Sequence, residues 1–162
     1  MSDELPFKSI FKAYDIRGVV DSELSSAVVK KIGKAIGTSA LLQKQKTICV
    51  GYDGRLSSPS LSATLIDGLL STGINVIDIG LCTTPMLYFS NFNQETGTGV
   101  MITGSHNPPE YNGFKIVINK KTLSSNYIQN LYQIILDSNY LVGKGNKKSL
   151  NIKSQYLNEI SD

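Results

Sequence analysis

Residues 98–118 read TGVMITGSHNPPEYNGFKIVI. Two runs of β-type residues, TGVMIT at 98–103 and GFKIVI at 113–118, flank a turn rich in proline and asparagine. So short a link suits two antiparallel strands, because parallel neighbours need a crossover of about a dozen residues or more. Elsewhere, apolar runs of strand length alternate with segments of helical period. That alternation predicts helices on both faces of a mostly parallel sheet. The expected fold is therefore α/β: a three-layer α/β/α domain with a mixed, mostly parallel sheet.

Working outward, the strands expected before this unit are the run from Ile10 to Tyr14, TICVGY at 47–52 and INVIDI at 74–79. TICVGY is nearly continuous in apolar residues, as strands buried on both faces are. Between them, Ser25 is a plausible N-cap for a helix carrying Val28, Ile32 and Ile36 at i+4 spacing, with Gly37 near its expected end. Ser58 and Pro59 have the N-cap and first-turn pattern for a second helix with Leu61, Leu65 and Leu69 on one stripe. Thr84 and Pro85 open a short helix through Phe89, and Ser124 or Ser125 opens one bearing Ile128, Leu131 and Ile135. Past Leu141 the chain turns rich in Gly, Asn and Lys and is expected to be a loop. Residues 1–150 are expected to form one domain, with 151–162 starting a connection to a further domain.

Composition bounds the function. Of the 162 residues, 41% are apolar, as in an ordinary globular domain, and no run nears the roughly 20 apolar residues of a membrane span. The early acidic residues and missing apolar stretch at the N-terminus do not resemble a secretory signal, so a cytoplasmic location is expected. The net charge of +3 is scattered apart from Lys144, Lys147 and Lys148. Without a basic face interleaved with aromatics, neither nucleic acid nor membrane is an expected partner. Cys49 and Cys82 fit no metal spacing and are expected to be reduced and at least half-buried.

The chemistry gathers at strand ends, where open α/β sheets bind ligands. Three polar segments fall there: 14–18, 52–58 and 104–112. Gly104 frees the backbone before Ser105, and Pro108 and Pro109 stiffen the chain beyond it. A serine presented in this way can serve as a nucleophile or as a phosphate carrier. A serine hydrolase needs a histidine within reach of its serine, oriented by an acid. The single histidine, His106, is the immediate neighbour of Ser105, and Asn107 stands where a nucleophile elbow has its second glycine. A phosphate carrier needs cations and donors, and Arg17, Arg55 and Lys115 supply suitable groups. Alternatively, Arg17 and Arg55 pair only with Asp15 and Asp53, Asn107 and Asn112 are turn residues, and Tyr14 is a rim aromatic. From the residues alone the reading stops at an anion-binding α/β domain with an unusual serine.

The string TGSHNPPEYNGFKIV at 103–117 closely resembles the active-site serine signature of the α-D-phosphohexomutases. FKAYDIRG at 11–18 resembles that superfamily's N-terminal motif, and GYDGRLSSP at 51–59 is similar to its second loop. The wording is most similar to the bacterial phosphomannomutase/phosphoglucomutase branch, with the phosphoglucosamine mutases second. A non-catalytic sugar-phosphate-binding module is the rival of a different class.

The resemblance implies that Ser105 is a phosphoserine exchanging its phosphoryl group with hexose phosphates through a hexose 1,6-bisphosphate. It implies Lys115 in proton transfer or phosphate holding, and Arg17, His106 and Asn107 as site contacts. Tyr14 joins them as a substrate-binding residue, with Asp53, Arg55 and Asn112 in support. It further implies one Mg²⁺, bound here only through the phosphate on Ser105. Members of the superfamily are about three times this length, and their Asp-Gly-Asp-Gly-Asp-Arg type metal loop has no counterpart here. Other domains are therefore expected as partners, and the chain alone is expected to be inactive.

Overall fold

A computed structural model describes residues 4–83 and 96–151. The strands are β1 (Ile16–Val19), β2 (Thr47–Tyr52), β3 (Asn75–Leu81), β4 (Gly99–Ile102), β5 (Tyr111–Ile118), β6 (Lys121–Thr122) and β7 (Lys147–Ser149). The helices are α1 (Ser26–Leu42), α2 (Ser58–Leu70) and α3 (Ser125–Asp137), preceded by a short 3₁₀ turn at Lys8–Ile10. The sheet runs β1-β5-β4-β2-β3-β7, with β6 paired to β5. It is mixed: β4, β2, β3 and β7 are parallel neighbours, while β5 is antiparallel to β1, β4 and β6. The β4–turn–β5 unit is thus the antiparallel element predicted from residues 98–118.

Alternation along the strands separates two cores. Ile48 and Val50 of β2, Val100 and Ile102 of β4, and Phe114 and Ile116 of β5 point toward the helices, joining Val28, Ile32, Leu65, Leu69, Ile128 and Leu131 in one large cluster. On the opposite face, Cys49, Ile77, Ile79, Cys82 and Met101 form a smaller one. Both cysteines are buried, and burial pushes the Cys82 thiol up to about 12, which keeps it protonated at neutral pH.

α1 begins where Ser25 caps it, the Ser25 hydroxyl accepting the Val28 N–H at 3.3 Å. Gly33 and Gly68 let α1 and α2 cross closely: a Cβ at Gly33 would overlap the Leu65 carbonyl, and one at Gly68 the Lys30 carbonyl. Gly37 does not end α1, which runs on to Leu42, because that glycine faces Thr72 of the neighbouring turn and serves packing. The N-cap of α2 is Ser57, and Ser58 is already helical.

The first strand lies later than expected, on Ile16–Val19 and not on the run ending at Tyr14. Its alternation is Ile16 and Gly18 inward, Arg17 and Val19 outward, so the polar-looking segment is a strand. The Gly- and Lys-rich stretch past Leu141 is not all loop either, since Lys147–Ser149 adds a parallel edge strand to β3. Lysines suit such an edge because their charge discourages further strand pairing. The short helix expected from Thr84 and the connecting segment past residue 151 lie outside the described residues. Among the described residues, no helix is long and apolar enough to cross a membrane.

Candidate active site

The three polar segments meet at the ends of β2 and β4. Ser105 lies in the loop between β4 and β5, with φ 51°, in the left-handed region that a non-glycine residue adopts at a cost of roughly 1–2 kcal/mol. Its side chain is exposed, and its hydroxyl makes no hydrogen bond among the described residues. Backbone contacts hold it instead: the Ser105 N–H donates to Thr103 Oγ1 at 3.0 Å, and the Ser105 carbonyl accepts from Arg55 Nη2 at 3.2 Å.

Arg55 is the clamp of this loop. Nη1 donates to the carbonyls of Pro108 (2.7 Å) and Tyr111 (2.9 Å), and Nη2 to those of Asn107 (2.6 Å) and Ser105. A planar guanidinium can address four carbonyls from one centre in a way that an ammonium cannot. Gly104 makes room for it, because a Cβ there would overlap the guanidinium itself. Behind it, Asp53 Oδ2 lies 3.7 Å from Arg55 Nε and accepts the Gly104 N–H at 3.0 Å. Asp53 Oδ1 accepts the Arg55 N–H at 3.1 Å and the Ser58 hydroxyl at 2.6 Å. Asn112 is fully buried and donates to Ser57 Oγ (2.9 Å) and Ser58 Oγ (3.0 Å), tying the start of β5 to the first turn of α2. The supporting residues Asp53, Arg55 and Asn112 thus form one network beneath the serine loop. Of the two roles read from the sequence for Arg55, the structure shows the pairing with Asp53, and it adds a third, the clamp on the loop carbonyls.

For Asp53, burial alone would raise the pKa. The hydrogen bonds from Ser58, Arg55 N–H, Gly104 N–H and Thr103 outweigh that and hold the carboxyl below its ordinary value. A depressed folded-state pKa contributes stability above the unfolded pKa, and that stability is lost as pH falls through the folded value. Chemical denaturation between pH 7 and pH 3 should therefore show wild-type stability dropping below about pH 4. Asp53→Asn should be less stable at pH 7 and should lose less over the same interval; parallel profiles would contradict this.

Arg17 sits within β1, not in a strand-end loop, opposite Gly113 of β5. Its Nη1 donates to Asn107 Oδ1 at 3.3 Å, and Asn107 Nδ2 donates to the Gly104 carbonyl at 2.9 Å, so Arg17 connects to the serine loop through Asn107. Arg17 Nε is buried, lies 3.6 Å from Asp15 Oδ2, and has no hydrogen-bond partner among the described residues. Lys115 pairs with Met101 in the β4–β5 ladder and is two residues beyond Gly113, which places it on the same sheet face as Arg17. Tyr14, Arg17 and Lys115 line a cleft of about 380 Å³ together with Lys12, Ala13, Asp15, Ile116 and Thr122. Tyr14 is 71% exposed at its rim. His106 is exposed and makes no hydrogen bond among the described residues.

The structure therefore joins Ser105, Asn107 and Arg17 by a hydrogen-bonded path, and Arg17, Tyr14 and Lys115 by a shared cleft. Lys12, Thr122 and Ser57 were not singled out from the sequence, and Ser58 was read there only as a helix cap. Lys12 and the two serines lie inside the motifs at 11–18 and 51–59, so those strings carried a signal that single-residue chemistry did not.

Among the described residues no cluster of three or more His, Cys, Asp or Glu side chains is placed to hold a metal ion. Asp53, the carboxylate nearest the loop in the bonding network, already accepts hydrogen bonds on both oxygens. These residues alone do not make a Mg²⁺ site.

Residues 8–141 match the family model described as phosphoglucomutase/phosphomannomutase, alpha/beta/alpha domain I. A phosphomannomutase/phosphoglucomutase of Pseudomonas syringae is 47% identical over 154 residues, covering 95% of this chain and 33% of the relative. A phosphoglucomutase of Neisseria meningitidis is 44% identical over 156 residues, covering 95% of this chain and 34% of the relative. The crystal structure of a phosphoglucomutase/phosphomannomutase family protein from Burkholderia thailandensis superposes with a TM-score of 0.92 at 38% identity, covering 96% of this chain and 36% of that one. The chain thus spans about a third of the length of the curated relatives it matches. With the three-layer fold, the serine loop and its supporting network in the matched region, the chain belongs to the phosphoglucomutase/phosphomannomutase family through its α/β/α domain I.

Proposed function

We propose that this chain is the phosphoryl-carrying domain of a hexose phosphate mutase, with Ser105 as the carrier. The observation that carries the reading is the presentation of Ser105: an exposed, unbonded hydroxyl on a left-handed residue whose loop is clamped by Arg55. A carrier must meet a substrate from solvent without moving, and a clamped loop with a free hydroxyl meets both needs. In the resting state Ser105 Oγ carries the phosphoryl group. The Oγ–P bond breaks as a hydroxyl oxygen of a hexose monophosphate bonds to phosphorus, giving a hexose 1,6-bisphosphate. The hydroxyl proton leaves to a nearby base, and the released serine oxygen takes up a proton. After the sugar turns over, its other phosphate returns to Ser105 by the reverse steps, which completes the exchange of 1-phosphate for 6-phosphate.

In this reading Lys115 holds the transferring phosphate or handles the proton, and Arg17 and Asn107 orient it. Tyr14 flanks the sugar, and His106 stands beside the serine. Mg²⁺ bound to the phosphate would offset its charge. This chain would offer it that phosphate alone, with the remaining ligands supplied by the rest of a full-length enzyme. Turnover by the isolated chain is accordingly not expected. The preferred substrates are those in the names of the relatives, glucose and mannose phosphates.

The test is intact-mass spectrometry after incubation with glucose 1,6-bisphosphate. A gain of about 80 Da, one phosphoryl group, that maps to Ser105 and is absent from Ser105→Ala supports the reading. A gain that maps to another residue, or that persists in the variant, rejects it.

A further inference from the structure

The cleft beside Arg17 holds more positive charge than the proposed reaction has used. Its lining contains three cations, Lys12, Arg17 and Lys115, against one carboxylate, Asp15. That carboxylate lies 3.6 Å from Arg17 Nε, so it offsets the arginine. Neither lysine has a salt-bridge partner among the described residues. Two unpaired ammonium groups facing one cleft repel each other, and a dianion between them would relieve that repulsion.

Lys12 is held in position by its backbone. Phe11 forms an antiparallel bridge with Ile16, and the Lys12 N–H donates to the Asp15 carbonyl at 2.9 Å, which closes a tight turn. Phe11 is buried, its ring packs 4.9 Å from that of Tyr132, and its carbonyl accepts from Gln129 Nε2 at 3.0 Å. With Phe11 anchored inward, Lys12 is directed outward to the cleft wall. Across the cleft, the β5 ladder fixes Lys115. The two cations are therefore borne on separate, anchored elements, an arrangement that limits the entropy lost when a ligand binds. Thr122 adds a hydroxyl to the same lining.

We propose that Lys12 is a phosphate-binding residue of this cleft, acting with Arg17 and Lys115 to hold the dianionic phosphate of a sugar phosphate. The choice of a sugar phosphate rests on the proposed function; the charge imbalance of the cleft does not depend on Ser105.

The experiment titrates this chain with glucose 1-phosphate and follows binding by heteronuclear NMR, using wild type, Lys12→Gln, Lys12→Arg and Lys30→Gln. Lys12→Gln should weaken binding about fivefold to tenfold, and Lys12→Arg should stay within about twofold of wild type. Shifts should centre on residues 12–17 and 115. Lys30→Gln, an exposed lysine of α1, should leave the affinity unchanged. The titration reads affinity alone, so loss of the phosphoserine reading would appear in the mass measurement and not here. The proposal is overturned if wild type shows no saturable binding, if Lys12→Gln binds within twofold of wild type, or if Lys30→Gln is weakened equally.

Discussion

In the full-length enzyme that the proposed function implies, Ser105→Ala is expected to lower mutase turnover by roughly a thousandfold or more, with the fold intact. Removing a covalent carrier eliminates the route itself, so no neighbouring group can recover it. Stability should barely move. The Ser105 hydroxyl makes no hydrogen bond among the described residues, and alanine keeps both the Ser105 N–H to Thr103 and the carbonyl to Arg55. A change within about 0.5 kcal/mol is expected from chemical denaturation. Ser105→Gly should be equally inactive, yet free of the left-handed strain at φ 51°. If Ser105→Ala retains most of the coupled activity, Ser105 is not the carrier. If it unfolds the domain, the loop depends on the hydroxyl in a way the bonding pattern does not show.

Arg55→Lys should have the second largest effect, acting on both stability and activity. The guanidinium reaches the carbonyls of Ser105, Asn107, Pro108 and Tyr111 and faces Asp53. A lysine ammonium has three donors on a flexible stem and cannot reproduce the planar fork. Hydrogen bonds to a charged donor contribute about 1.5–3 kcal/mol each when buried. Several of these carbonyls are reachable by water, so a total loss of about 2–4 kcal/mol is expected rather than the sum. Asp53 would also lose the guanidinium 3.7 Å from its Oδ2 while staying bonded to Ser58 and Gly104. Hydrogen exchange should accelerate at residues 104–111 in Arg55→Lys before it changes in α1. Turnover should fall by about tenfold to a hundredfold, because a loosened loop misplaces the serine. Unchanged exchange in the loop would show that Arg55 does not clamp it.

These two variants separate the hydroxyl proposed as the phosphoryl carrier from the frame that presents it. Asp53, Arg55 and Asn112 belong to the frame: their polar groups are directed at backbone and at α2, not at the cleft. Arg17 belongs to both, bonded to Asn107 on one side and lining the cleft on the other.

Much of this was legible in the residues. Strand–helix alternation implied the layers, and the brief Pro-rich link between two β runs implied the antiparallel pair β4–β5. Ser25 marked the start of α1, because an N-cap is a local bonding event between residues three apart. The motifs at 11–18, 51–59 and 103–117 marked the segments that meet. The misleading signals were local as well. Gly37 has the look of a helix stop, yet Thr72 packs against it; the segment after Tyr14 has the look of a turn, yet β5 pairs with it.

By itself, then, the sequence determined the α/β class, the antiparallel hairpin, the reduced state expected of the cysteines, and which serine sits in an unusual loop. These come from periodicity, turn chemistry and short-range bonding, which neighbouring residues settle among themselves. Only the tertiary structure decided that Arg55 clamps the serine loop, that Arg17 is a strand residue facing the same side as Lys115, and that Lys12 joins them. Each depends on register and on contacts between residues tens of positions apart, and those are set by how the strands pair when the core closes.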